Sequence, residues 1–95
     1  MQKPCTYLIT NTDHSKFFTG STQDLARRIF QYKKGNIEGI AKEHKLNKLV
    51  WYQRANSMEL AKIEAKRIAL EPKASKIELI RKMNPQWRDL YRDII

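Results

Sequence analysis

Few side chains in this sequence are equipped for covalent or metal chemistry, and their placement removes several options. Cys5 is the lone cysteine, so it can neither close an internal disulfide nor share a zinc ion with a second thiol. His14 and His44 stand thirty residues apart in segments that read as loops, without the helical pairing of a metal site, and are expected to be structural or idle. Cationic side chains are abundant. Nineteen lysines and arginines against ten carboxylates give a formal charge of +9 and a pI near 9.9. Residues 1 to 47 carry eight basic and four acidic side chains, residues 48 to 95 eleven and six, so the excess belongs to the body of the chain and not to a tail. That balance points to a polyanionic partner, nucleic acid first, over a merely soluble lysine-rich surface. Arg28 can grip a phosphate through two parallel hydrogen bonds, which a lysine cannot do; alternatively it pairs with Asp24 one turn earlier. Lys33, Lys34, Lys42, Lys45 and Lys48 follow it, either as the rim of a cleft or as a solvated face.

Elements to position these groups can be read from the pattern. Ninety-five residues suit one domain, 1–95, and 41% hydrophobic content with nine aromatic side chains argues against disorder. There is no run of roughly 18 apolar residues to span a bilayer and no secretion signal at the start, so a soluble, cytoplasmic protein without a membrane partner is expected. Cys5 to Thr10 reads as a strand, Asn11 to Ser15 as a turn, and Lys16 to Gly20 as the second strand of a hairpin. Phe17 and Phe18 then point to opposite faces, so at most one is core. Ser21 or Thr22 caps a helix from Gln23, with Leu25 and Ile29 on its buried stripe and Gly35 as its terminator. Residues 36 to 47 read as a loop with room for one helical turn. Leu49 to Tyr52 is a continuous apolar run, as expected of a central strand covered on both faces. Asn56 or Ser57 caps a second helix that ends before Pro72. A third buries Ile77, Ile80 and Met83 and stops at Asn84, because Pro85 disfavours helical geometry before it. Trp51 and Trp87 read as core, and Trp87, Leu90, Tyr91 and Ile94 as a terminal turn folding back. The order ββαβαα implies a small α/β sandwich around a three-stranded, mainly antiparallel sheet flanked by helices.

Several segments together carry a family resemblance: Thr6-Tyr7-Leu8-Ile9-Thr10-Asn11, Phe18-Thr19-Gly20 leading through Asp24-Leu25-Ala26-Arg27-Arg28-Ile29, Lys48-Leu49-Val50-Trp51-Tyr52, Ala65-Lys66-Arg67-Ile68, and Asn84-Pro85-Gln86-Trp87-Arg88-Asp89-Leu90. In order and spacing the chain resembles the GIY-YIG nuclease superfamily, in particular its small stand-alone bacterial members, and is similar to the nuclease domain of the excision-repair incision subunit. The resemblance implies a DNA-binding, repair-type endonuclease fold that hydrolyses phosphodiesters with magnesium or another divalent cation. It implies a catalytic role for Tyr7, which would orient or activate the attacking water, and for Arg28, which would face the phosphoryl oxygens. Tyr32, four residues after Arg28, falls where relatives carry histidine or tyrosine, and the resemblance makes it a third catalytic candidate.

Two positions depart from the pattern. The second tyrosine falls on Phe18, which keeps a ring that can stack but has no hydroxyl. The metal-binding glutamate falls on Ala65, and its neighbour Glu64 would point about 100 degrees away along the helix. Magnesium needs several oxygen ligands, and Asn84 alone would hold it poorly. The expectation is therefore a basic cleft in which Phe18, Arg28, Lys33 and Lys34 bind nucleic acid, DNA before RNA, with cleavage weak or lost. The alternatives are an active DNA endonuclease using Tyr7, Arg28 and Glu64, and a protein-interaction module whose cleft is unused. The sequence leaves the oligomeric state open.

Overall fold

A computed structural model describes residues 3–95. Two strands, β1 (Cys5–Thr10) and β2 (Phe17–Thr22), form the expected hairpin and are followed by α1 (Leu25–Lys34), the single turn α2 (Ile40–Glu43) and β3 (Lys48–Arg54). Two longer helices, α3 (Met58–Ala69) and α4 (Lys73–Met83), and the short α5 (Tyr91–Ile94) complete the chain. The three strands make one antiparallel sheet in the order β2-β1-β3.

The central strand is β1, with all six residues buried, and not β3 as the apolar run at Leu49 suggested. A bulge explains the misleading run: Leu8 pairs with Trp51 while Ile9 pairs with Leu49, leaving Val50 unpaired in β3. The extra residue lets Val50 and Trp51 both pack with Leu8, Ile68 and Ile80, while Leu49 packs on the other face with Tyr7, Ile9 and Ile29. The free edge of β3 is shielded at its start by the C-terminal segment. Leu90 N–H donates to Leu49 O at 2.8 Å, and Leu49 N–H donates to Asp89 Oδ1 at 3.3 Å. Covering an edge in this way removes a template for unwanted strand pairing. Asn84, buried after α4, fixes this segment by donating to Val50 O and Arg88 O and accepting from Arg88 N–H.

Helix α1 starts two residues later than expected. β2 continues to Thr22, which pairs with Cys5, so Asp24 becomes the cap and its carboxylate accepts from Arg27 N–H at 3.2 Å. Gly35 terminates the helix in the left-handed conformation, φ 72°. Ser57 caps α3 by accepting from Leu60 N–H. On α4, Ile80 is buried but Met83 is 42% exposed; Leu79 takes its place against the Leu8, Val50 and Trp51 cluster. Phe17 packs near Trp87 and Phe18 near Tyr32, on opposite faces as the alternation requires. Among the described residues, no helix is long and apolar enough to cross a membrane.

Candidate functional site

Tyr7 sits in the middle of β1 and points to the α1 side, where it joins a cluster with Leu25, Ile29 and Tyr32. Arg28 and Tyr32 are four residues apart on α1 and so lie one above the other on the same helical face. The result is a close pair of phenols: the Tyr7 and Tyr32 hydroxyls are 2.8 Å apart, with their rings edge to face at 6.0 Å between centroids. The Phe18 ring lies 6.4 Å from that of Tyr32 and is 39% exposed, so it forms a carbon surface at the edge of the pair.

Tyr7 is only 1% exposed. Burial raises its hydroxyl pKa well above the ordinary tyrosine value, and the neighbouring Tyr32 raises it further; the positive charge of Arg28 nearby offsets part of the shift. At neutral pH Tyr7 is therefore a neutral hydroxyl, able to donate or accept a hydrogen bond but not to act as a phenolate base. Its position depends on Gly20, which in the sequence stands at the expected strand end and within the resemblance segment but was given no role at the site. Tyr7 pairs across the hairpin with Gly20, and a Cβ built on Gly20 would lie 2.5 Å from the Tyr7 hydroxyl oxygen and 2.6 Å from its ring carbon Cζ. A glycine inside a strand is the sequence signal for such a close approach.

Arg28 makes no ion pair among the described residues. The alternative pairing with Asp24 is not formed, since that carboxylate serves as the helix cap. The guanidinium lines a pocket of about 290 Å³ with Thr22, Gln23, Asp24, Arg27 and Gln31. Lys34 is exposed, its ammonium 5.5 Å from the centre of the Phe30 ring. Lys33 differs from the free basic residue expected at this position. Its ammonium pairs with Asp89, donates to Asn47 O at 3.0 Å and lies over the Tyr91 ring. These contacts tie α1 to the C-terminal segment.

The metal-ligand position is separate. Ala65, 7% exposed, is buried on α3, across the sheet from Tyr7. Glu64 lines another pocket, of about 300 Å³, with Thr6, Gln53, Arg54, Ala55, Asn56, Leu60 and Ile63. Neither Tyr7, Arg28 nor Tyr32 lines it. The Glu64 carboxylate is already paired with Arg67 at 2.5 Å. Among the described residues no three of His, Cys, Asp and Glu come together as a metal-binding group, and Asn84 uses its side chain on backbone partners. One paired carboxylate does not fit a hard divalent cation, which needs several free oxygens.

Comparison with known families decides what this arrangement is related to. A family model described as the GIY-YIG catalytic domain matches residues 3–78. The chain belongs to the GIY-YIG family. Searches of curated proteins and of solved structures return no significant match. GIY-YIG membership implies a nuclease-like domain, acting on nucleic acid and in general dependent on a divalent metal. The matched span of this GIY-YIG domain takes in Tyr7, Gly20, Arg28 and Tyr32 and ends within α4, so the Asn84–Leu90 segment that shields β3 lies beyond it.

Proposed function

We propose that this GIY-YIG domain binds DNA through the surface around Arg28, Tyr32, Phe18 and Lys34, and that hydrolysis of the bound strand is weak or lost. The observation that carries the reading is an arginine without a carboxylate partner, beside a buried phenol pair, in a chain whose candidate metal carboxylate faces a different pocket. An unpaired guanidinium next to hydroxyl groups suits a phosphodiester oxygen. The exposed Phe18 ring adds a surface on which a base can stack.

Cleavage asks for more. Phosphodiester hydrolysis needs a group to take the proton of the attacking water and a charge to stabilise the departing oxygen. Tyr7, buried and neutral, is poorly suited to take that proton. Phe18 has no hydroxyl, and the Ala65 methyl group offers nothing to a cation. Tyr7 and Tyr32 are left to hold α1 against β1 and keep the guanidinium in place.

The test is a binding and cleavage assay on nicked, branched and flapped DNA with magnesium or manganese. The expected outcome is binding without turnover, with Arg28→Ala reducing the salt dependence of log affinity by about 0.9 on duplex DNA. Turnover in the unaltered protein that depends on Glu64 would overturn the reading.

A further inference from the structure

The face of the sheet opposite Arg28 carries a second basic surface. Lys16, Lys73 and Lys76, with Ser15 and Phe17, line a shallow pocket of about 280 Å³ between the β1–β2 turn and α4, and no carboxylate lines it. None of the three lysines makes an ion pair among the described residues. The Lys73 ammonium donates to Ser15 O at 2.9 Å and that of Lys76 to Ala69 O at 3.2 Å, and carbonyls leave the net charge uncancelled. Asp13 accepts from Ser15 N–H, and Glu71, on the far side of Lys76, pairs with Arg67.

Aromatic rings continue the surface. Lys73 lies over the half-buried Phe17 ring at 5.7 Å. Phe17 is 6.1 Å from Trp87, and His14 stacks on Trp87 at 4.4 Å with 20° between planes. Lys48 closes the row, its ammonium 3.0 Å from His14 Nε2. Lysines held by backbone carbonyls beside partly exposed rings offer phosphate contacts and a stacking surface together.

We propose that the Lys16, Lys73 and Lys76 pocket with its Phe17 wall is a second phosphate-backbone contact for a nucleic-acid strand, separate from the Arg28 surface. Phe17 and Phe18 are consecutive on the edge strand β2 and face opposite ways, so the two contacts lie on either side of that edge. A strand passing over β2 meets both.

The experiment measures the salt dependence of binding to a labelled oligonucleotide, single-stranded and as its duplex. It compares the full-length protein with Lys16→Gln/Lys73→Gln/Lys76→Gln and with a control of equal net charge, Lys62→Gln/Lys66→Gln/Lys82→Gln, which alters exposed lysines elsewhere on α3 and α4. The expected result is a slope reduced by about 0.7 to 0.9 for each lysine lost from the pocket, the lower figure for single strands, with a much smaller change in the control. Equal reductions in the two variants mean that net charge alone is acting and overturn the proposal, as does an unchanged slope. If Arg28→Ala weakens binding while the pocket variant does not, only this second contact fails. Failure of the unaltered protein to bind either oligonucleotide overturns both readings.

Discussion

On the α1 side of the sheet, β1 presents Tyr7 to Tyr32 and Arg28; on the α3 and α4 side, the same strand presents Thr6 to the Ala61 carbonyl at 2.8 Å and Leu8 to Val50, Trp51, Ile68 and Ile80. The α1 side keeps hydroxyls in contact inside a mostly apolar cluster and leaves a guanidinium uncancelled at its rim. The α3 side is mostly carbon packing around the Thr6 hydrogen bond, with alanines at Ala61 and Ala65. Chemistry therefore depends on polar contacts on one face and on shape on the other, although alternate residues of one strand build both. A metal-dependent mechanism would have to draw on both faces together, and the side chains present support only the first.

The difference can be tested by single substitutions on each face. The largest effect is expected from Gly20→Ala, which drives a methyl group into the buried Tyr7 ring. It should destabilise the protein by about 1 to 3 kcal/mol in denaturant unfolding and weaken oligonucleotide binding with it. A wild-type stability would mean that the Tyr7 ring is not held as closely as described.

Tyr7→Phe comes next. It leaves the hydroxyl of the buried Tyr32 without its partner, at a cost of about 1 kcal/mol. The pH profile should identify the cause. Because the folded pKa of Tyr7 is raised, its contribution is fully present below the ordinary tyrosine value of about 10 and is lost as pH rises through the raised one. The stability advantage over Tyr7→Phe should accordingly hold steady to about pH 10 and shrink above it, as followed by unfolding at a series of alkaline pH values.

The smallest effect, with the opposite sign, is expected on the other face. Thr19 pairs with Leu8 on the α3 side, and its buried hydroxyl finds no partner among the described residues. Replacing it by the isosteric Thr19→Val removes an unsatisfied group, so stability should stay level or rise by up to about 1 kcal/mol. A marked loss would mean that the Thr19 hydroxyl makes a polar contact after all.

Much of the fold was legible because it rests on local signals. The turn formers at Asn11–Ser15, the glycine at Gly35, the Ser57 cap and the break at Pro72 act within a few residues of themselves, and the elements they bound are close to those expected. Errors arose where distant pairing decides. The strand at Leu49 looked central because one bulge opposite β1 turns two successive residues to the same face. The first helix was expected to start at Gln23, but pairing of Thr22 with Cys5 holds that residue in the strand. Lys33 resembled any other lysine of a basic run until Asp89, fifty-six positions later, was folded against it.

The sequence by itself determined the order of the elements, the positive charge and the residues present at each position, because periodicity, capping and composition are properties of neighbouring residues. Only the tertiary structure decided that Tyr7 shares a hydrogen bond with Tyr32, that Arg28 goes without a carboxylate while Lys33 does not, and that Glu64 opens onto a different pocket. Those outcomes depend on which surfaces lose their water and which charges are brought within reach, and in this chain they join residues such as Lys33 and Asp89, fifty-six positions apart.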